Sequence, residues 1–410
     1  MGGGEGGRGG ETVTGVAVRP GPTADPFGVY VHVPFCRHRC DYCAFATYTD
    51  RDHLMEAYAA ACTTEVDRAV EREGLPAATS VFVGGGTPSR LPADLLVSVL
   101  GAVPRAPGAE VTVECNPEDV TPDLLAAYRA GGVTRVSLGV QSTVGHVLEG
   151  LGRRHGPAHV DAAAAAVAEA GFASWNMDLI LGGAGERDED WERSLADVLG
   201  LASPPPHLSA YALTVEPGTP LDRAPDRHPD DDVQAGRYET ADRVLSGAGY
   251  RWEEISNWAR PGHGCQHNRL YWDQGDYRGI GSAAHSHRDG RRWWNVRTPD
   301  RYVALVEADG STTAAGEALD PSTRRFEALV LALRTSRGVP DASLPDHPDL
   351  DGLVDRVDGR AVLTVRGRLL ANAVTAYLRD PETDGRPAGP GARGRRTGGG
   401  GAPGTIAPDA

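Results

Sequence analysis

Three cysteines stand within eight residues, at Cys36, Cys40 and Cys43. Thiolates at this spacing can each ligate one iron of a [4Fe–4S] cluster from one tight loop, which leaves the fourth iron open. An open iron can chelate the amino and carboxylate groups of S-adenosylmethionine (SAM), and cluster reduction then yields a 5′-deoxyadenosyl radical. Structural zinc is the alternative, but it usually takes four ligands in separated pairs, and no second Cys-x2-Cys pair occurs. The spacing favours a cluster.

The other three cysteines have different surroundings. Cys62 lies within a helical pattern and Cys115 ends an apolar run, so both are expected in the core. Cys265 stands two residues before His267, in a stretch dense in His, Trp and Asn.

Composition restricts the classes of protein that are compatible with this chain. Of its 410 residues 40% are hydrophobic, the formal net charge is −15, and no Lys is present. An acidic chain disfavours a nucleic-acid partner, which requires a basic patch. No apolar run is long enough to span a membrane, and the N-terminus lacks the pattern of a secretory signal. We expect a cytoplasmic protein with reduced thiols; peripheral membrane contact and a homodimer are both compatible with the sequence.

Short apolar runs alternate with longer helical patterns along most of the chain, which predicts a parallel α/β sheet with right-handed crossovers. Six such units favour an open, partial (β/α)6 barrel, with a doubly wound sheet as the alternative. The predicted strands are 29–33, 80–83, 110–115, 135–140, 175–181 and 207–213, with a weaker run at 251–256.

Changes of composition divide the chain into five segments. The two ends are rich in Gly and Pro and are predicted to be disordered. The segments are a leader (1–26), the barrel (27–256), a loop-rich connector (257–319), a small mixed α/β C-terminal domain (320–380) and a tail (381–410).

Polar and glycine residues follow the predicted strands at the edge where parallel α/β folds bind ligands. Gly84-Gly85-Gly86-Thr87 follows the second strand, and its glycines allow a ligand to approach the backbone closely. Glu114 and Gln141 end the third and fourth strands, and Asp178 lies on the fifth. Tyr211 and Ala212 lie near the end of the sixth strand. Each residue alone is weak evidence, but their convergence predicts a binding site.

These motifs together resemble a known family. The runs YVHVPFCRHRCDYCAF, FVGGGTPS, VECNP, LGVQS and MDLI are similar to the radical SAM branch related to oxygen-independent coproporphyrinogen III oxidase. The later runs EEISNWARPGHGCQHNRLYW, DYRGIGSAAHS and LTVRGRLLANAV resemble the HemW-type haem chaperone subgroup. The resemblance extends from about Tyr30 to about Tyr377.

The resemblance implies a set of cofactor contacts. By position, it assigns SAM contacts to Tyr30, Tyr42, Gly85, Gly86, Thr87 and Glu114. It assigns a nucleoside site to Gln141, Arg153, Asp178 and Ala212, which in the oxidase branch includes contacts to a second SAM. Whether this chain binds a second SAM is left open by the sequence.

Two positions depart from the oxidase pattern. Phe45 stands where the oxidase branch has a fourth cysteine. The loop LGGAGE after the fifth strand lacks the Leu-Pro pair that the family usually has after its first glycine. The first departure favours the chaperone subgroup, and the second concerns the shape of that loop.

The run HNRLYW matches the HNxxYW motif of the chaperone subgroup, which implies a haem site. His267 could supply an axial nitrogen to haem iron, while Tyr271 and Trp272 could stack on the macrocycle. The structural alternative is that His267 and Asn268 hydrogen-bond a loop while both aromatic residues pack against the barrel. Other candidate ligands are Cys265, His285, His287, His263 and His32.

Two functions are therefore expected. The first is a haem chaperone that transfers haem to an acceptor protein, with the cluster and SAM regulating transfer or dimerisation. The second is an oxidase that abstracts hydrogen from the propionates of coproporphyrinogen III, with loss of carbon dioxide. Phe45 and the HNxxYW motif favour the first.

Overall fold

The computed structural model describes residues 25–380, so the predicted tail and nearly all of the predicted leader lie outside the described residues. A twelve-stranded sheet forms the centre of this part of the chain, and its six consecutive parallel strands are the predicted ones. These strands are β1 (Phe27–Val33), β2 (Ala78–Gly85), β3 (Arg105–Cys115), β4 (Arg135–Gln141), β5 (Ser174–Leu181) and β6 (His207–Ala212).

The two faces of β1 show why the sheet folds in this way. Val29, Val31 and Val33 pack into the main hydrophobic core with the crossover helices. The alternate residues Tyr30 and His32 point to the opposite face, which we call the inner face. The crossover helices are α1 (Met55–Glu73), α2 (Ala93–Ala102), α3 (Pro122–Ala130), α4 (Gly145–Gly150), α5 (Pro157–Glu169), α6 (Asp188–Leu199) and α7 (Asp231–Gly247).

Residues 257–319 do not form the expected loop-rich connector. Together with β7 (Arg251–Glu254), they extend both edges of the sheet: β8 (Asn257–Ala259) pairs antiparallel with β6 and β7, and β9 (Asp276–Ile280) pairs parallel with β1. The elements are β7 (Arg251–Glu254), β8 (Asn257–Ala259), α8 (Gln266–Trp272), β9 (Asp276–Ile280), β10 (His285–Arg288), β11 (Arg291–Asn295), α9 (Pro299–Glu307) and β12 (Thr313–Ala318).

A buried carboxylate explains why these polar strands were hard to predict. Glu65 of α1 accepts hydrogen bonds from Tyr302 Oη (2.6 Å), Gly281 N (2.9 Å) and Asn295 Nδ2 (3.0 Å). Glu65 thus satisfies buried polar groups at the end of β11, directly after β9 and on α9, which allows polar residues in these elements to be buried. Sequence periodicity therefore misses them.

The C-terminal unit is small and mixed, as expected. Its three antiparallel strands run in the order β13, β15, β14, and it has a hydrophobic core of its own. Its elements are α10 (Pro321–Leu333), β13 (Val339–Pro340), β14 (Val354–Val357), β15 (Arg360–Leu363), α11 (Val365–Leu369) and α12 (Ala371–Thr375). No helix between residues 25 and 380 is long and apolar enough to cross a membrane.

Candidate functional site at the carboxyl ends of the strands

The loop after β1, residues 34–48, carries the three clustered cysteines. Cys36 N–H donates to Tyr48 O (3.0 Å), and Cys43 N–H donates to Cys40 O (3.2 Å), so the loop turns back on itself. Burial, together with the nearby Cys40 and Cys36, raises the pKa of the Cys43 thiol to about 11. All three thiols are free of disulfides. In residues 25–380 no three His, Cys, Asp or Glu side chains lie close enough together to hold a metal ion.

Two side chains tie these thiols to neighbouring strands. Thr87 Oγ1 lies 3.5 Å from Cys36 Sγ, and Arg153 Nη1 lies 3.4 Å from Cys40 Sγ. Arg153 Nη2 also donates to Asn116 Oδ1 (2.8 Å), and Asn116 Nδ2 donates to Thr87 Oγ1 (3.3 Å). Asn116 therefore connects both tethers. It was missed at the sequence level, although it directly follows the strand-ending Glu114-Cys115 pair.

The glycines after β2 are required by close packing. A Cβ on Gly85, where φ is +107°, would lie 2.4 Å from the His32 ring. A Cβ on Gly86 would lie 2.8 Å from the carbonyl oxygens of Val33 and Phe35. Protein atoms already occupy the space that a side chain would need at either position, so only glycine fits there.

Glu114 lies beside these glycines on the inner face. Burial, together with the nearby Asp178, raises the pKa of its carboxyl group to about 8, although a hydrogen bond from Gly85 N–H opposes this rise. Within the described chain Glu114 forms no ion pair with an Arg or His side chain. Asp178 is better satisfied, since it accepts hydrogen bonds from Ser137 Oγ (3.0 Å) and Asn176 Nδ2 (2.8 Å).

The remaining predicted residues are distributed around the same rim. Gln141 has a positive φ of +65° at a register shift between β4 and β5, and its amide group points back toward Gly139 and Arg153. Tyr42 packs on the apolar cluster around Leu151. Tyr30 is buried, and its Oη lies 3.2 Å from His32 Nδ1. Ala212 is exposed and ends β6.

The HNRLYW run forms α8, which lies across the inner face near the amino ends of the strands. Glu110 of β3 caps this helix by accepting hydrogen bonds from Gln266 N (2.8 Å) and His267 N (3.3 Å). We call α8 and the side chains it contacts the barrel floor. Its position is opposite to the rim that carries the cysteines.

His267 is buried in this floor, which corrects its expected position at a haem site. Its Nδ1 is 2.9 Å from Ser80 Oγ and its Nε2 is 2.9 Å from Tyr271 Oη. The ring also stacks on Phe82, with 5.5 Å between ring centroids. Both nitrogens have partners and none of the side chain is exposed, so the haem role of His267 stays a prediction that would require these hydrogen bonds to break.

Trp272 faces a separate cavity below the floor. This cavity has a volume of about 180 Å³ and is closed by Thr335, Ser336 and Arg337 of the C-terminal unit. Pockets for drug-sized ligands typically measure about 300–1,000 Å³, so this one is too small for a porphyrin. Trp272 is buried beside this cavity, and Tyr271 packs edge-on against His267 and Tyr277.

Comparison with known proteins identifies the family. Residues 30–198 match the Radical SAM superfamily. The haem chaperone HemW of Mycobacterium tuberculosis is 42% identical over 382 residues, covering 89% of this chain and 97% of that protein. HemW of Escherichia coli is 35% identical over 322 residues, covering 75% and 84% of the two chains. The chain belongs to the HemW family of radical SAM proteins.

The fold agrees with this membership. The structure of coproporphyrinogen III oxidase (HemN) from Escherichia coli, a radical SAM enzyme, matches with a TM-score of 0.74 and 24% identity. The structural match covers 88% of this chain and 90% of the oxidase chain. The expected radical SAM partial barrel with a small C-terminal unit is thus confirmed. This HemW family member shares the oxidase fold, and that likeness by itself says nothing about activity.

Proposed function

We propose that this protein is a haem chaperone that binds haem and passes it to an acceptor protein. In this proposal Cys36, Cys40 and Cys43 hold a [4Fe–4S] cluster, and SAM binds its open iron. The observation that carries the proposal is the set of three free thiols at the rim of a barrel whose sequence belongs to the HemW family. When bound, the cluster and SAM supply the electron and the sulfonium needed for radical formation.

The residues of the rim fit these groups. Thr87 and Arg153 lie within hydrogen-bond reach of two of the thiols, and such bonds stabilise thiolates and tune clusters. The Glu114 carboxylate has no cationic partner in the described chain, so it can pair with the amino group of SAM. We assign Gly85 and Gly86, where close packing excludes a side chain, to contacts with the methionyl part of SAM. We assign the nucleoside side of the site to Tyr30, Tyr42, Gln141, Arg153, Asp178 and Ala212.

Oxygen-independent coproporphyrinogen III oxidase is the second candidate, because the oxidase fold covers nearly the whole chain. Phe45, which is 36% exposed, stands in the cluster loop where the oxidase branch has a cysteine. Decarboxylation requires the substrate propionate to be held at near-attack distance from the radical, and this loop borders the entrance. We therefore expect no useful conversion of coproporphyrinogen III to protoporphyrinogen IX.

Anaerobic reconstitution followed by two assays tests the proposal. The first titrates the protein with haem and measures transfer from the loaded protein to haem-free respiratory membranes. The second supplies SAM, reductant and coproporphyrinogen III, with an authentic oxidase as the positive control. Stoichiometric haem binding with transfer supports the chaperone. Protoporphyrinogen formation at a rate comparable to the authentic oxidase would overturn it.

A further inference from the structure

Asn116, the first residue after β3, connects the hydrogen bonds that reach two of the three clustered thiols. Its Nδ2 lies 3.3 Å from Thr87 Oγ1, and its Oδ1 lies 2.8 Å from Arg153 Nη2. Thr87 Oγ1 in turn lies 3.5 Å from Cys36 Sγ. We propose that Asn116 is a positioning residue that aims the Thr87 hydroxyl proton at Cys36 and thereby raises the reduction potential of the cluster. This inference rests on the proposed cluster at these thiols and adds a residue that tunes it.

The chemistry of Arg153 fixes which way the Asn116 amide faces. A guanidinium group can only donate hydrogen bonds, so the amide atom 2.8 Å from Arg153 Nη2 must be the oxygen. The amide nitrogen therefore faces Thr87 Oγ1 and donates to it. The reverse orientation would place two donors against each other at Arg153.

Thr87 has one hydroxyl proton, and Asn116 decides where that proton points. Among the described residues the partners of Thr87 Oγ1 are Asn116 Nδ2 and Cys36 Sγ. Because the oxygen accepts a hydrogen bond from the amide, its own proton is left for the sulfur. Thr87 and Cys36 are both buried, so water competes little for this proton. Without the amide the hydroxyl is free to rotate, and the bond to the sulfur is no longer enforced.

The backbone of Asn116 is held by a second set of bonds that leads to the cysteine loop. Asn116 N–H donates to Ser89 Oγ (3.2 Å), and Ser89 Oγ donates to Asp119 Oδ2 (3.0 Å). Asp119 forms an ion pair of 3.0 Å with Arg37, which directly follows Cys36 in the chain. The side chain of Asn116 is thus fixed relative to the loop that carries Cys36, as the aiming of a single proton requires.

A hydrogen bond to a cysteine sulfur affects the two oxidation states of a cluster unequally. Reduction adds one negative charge that the sulfurs share, so a donor at sulfur stabilises the reduced state more and raises the potential. A buried hydrogen bond is electrostatically stronger than one in water, which increases this difference. The donor that Asn116 directs toward Cys36 therefore favours reduction.

The two arms of Asn116 should differ in how much they depend on it. Arg153 Nη2 also donates to Gly139 O (2.7 Å), so Arg153 keeps this anchor when Asn116 is replaced. The amide of Asn116 is the group that directs the proton of Thr87, as shown above. We therefore expect replacement of Asn116 to act mainly at Cys36 and less at Cys40, which Arg153 contacts.

The test measures the midpoint potential of the reconstituted full-length protein without SAM. Dithionite with redox mediators reduces the cluster, and electron paramagnetic resonance quantifies the reduced form. Asn116→Ala should make reduction about tenfold less favourable, a shift of ~59 mV to more negative potential for a one-electron couple. Asn372→Ala removes an exposed asparagine of the C-terminal unit and is the matched control, which should keep the wild-type potential.

A double-mutant cycle measures whether Asn116 acts through Thr87. In a Thr87→Val background no hydroxyl proton is left to aim, so Asn116→Ala should shift the potential by less than half of its effect in wild type. In a Thr87→Ser background, which keeps the hydroxyl, the full shift should return. If Asn116→Ala does not fold, Asn116→Asp takes its place, because its carboxylate has the same shape, accepts from Arg153 and cannot donate to Thr87. The added charge acts in both backgrounds and cancels in the cycle.

Three outcomes would overturn the proposal. One is an unchanged potential in the Asn116 variant, and another is an equal shift with and without the Thr87 hydroxyl. The third is a folded Asn116→Ala protein that takes up no cluster, because a residue that only aims a proton is not needed for assembly. A wild-type protein that takes up no cluster would instead overturn the cluster assignment of the proposed function. Haem binding and transfer, which are measured separately, test the chaperone role.

Discussion

The rim and the floor of the barrel both contain buried polar side chains, but these side chains differ in how many protein partners they have. At the rim, Glu114 receives one backbone hydrogen bond from Gly85 and has no cationic partner in the described residues. At the floor, His267 is bonded at both nitrogens, to Ser80 and Tyr271. The comparison teaches that a buried polar side chain without a charged protein partner indicates a site more strongly than one whose hydrogen bonds are all made within the protein. Satisfied groups stabilise the fold, and unsatisfied groups are available to a ligand.

The largest effect is expected from the rim thiols. Cys40→Ala should abolish the iron–sulfur absorbance of the reconstituted protein, because it removes one of three ligands. Cys115→Ala is the matched control, since Cys115 is a buried core residue at the end of β3. Iron and sulfide analysis together with the visible spectrum measures the result. Four irons per chain in the Cys40→Ala protein would show that the ligand assignment is wrong.

A floor variant should lose stability and keep its cofactors. His267→Ala leaves Ser80 Oγ and Tyr271 Oη without partners and opens a cavity against Phe82, which should cost about 2–4 kcal/mol of unfolding free energy. Denaturant unfolding measures this loss, with the exposed His53→Ala as control. The haem spectrum of the folded variant should match wild type. A changed Soret band at unchanged stability would make His267 a ligand after all.

A conservative change at the rim should affect one cofactor only. Glu114→Gln keeps the shape of the side chain and removes the carboxyl group that would ionise beside the amino group of SAM, so SAM should bind about tenfold more weakly, or ~1.4 kcal/mol. The cluster absorbance should not change. Calorimetric titration of SAM into the reconstituted protein gives the affinity, with Glu239→Gln on the exposed face of α7 as control. Equal affinities in all three proteins would remove Glu114 from the SAM site.

The smallest expected effect is a pH dependence of the unfolding free energy, which comes from Glu254 at the cavity below the floor. Burial raises the pKa of Glu254 to about 7, above its usual 4.5. Between these values the folded protein holds a proton that the unfolded chain releases, so stability falls as pH rises from 4.5 to 7. Between pH 5 and pH 6 the unfolding free energy of Glu254→Gln should therefore fall by about 1 kcal/mol less than that of the wild type. Urea unfolding at both pH values measures it, and identical slopes for the two proteins would contradict the assignment.

Sequence reasoning located the rim because its signals are local. The three cysteines and the glycine run each follow one strand directly, and parallel strands bring their carboxyl ends to one edge. The floor was not predictable in this way. The role of His267 depends on Ser80 and Phe82, nearly two hundred residues earlier in the chain. Asn116 was missed because its two partners, Thr87 and Arg153, come from other strand–helix units.

The pairing of β1 with β9 sets an order of events during synthesis. Phe27 aligns with Asp276, and the cysteine loop is bonded by Arg297, 253 residues after Ala44. At about 5–20 residues per second, the ribosome needs roughly 10–50 s to make that intervening chain. During this interval the three thiols have emerged, but the strand and the arginine beside them do not yet exist. The finished loop, with its hydrogen bond from Arg297, therefore exists only after residue 297 has been synthesised.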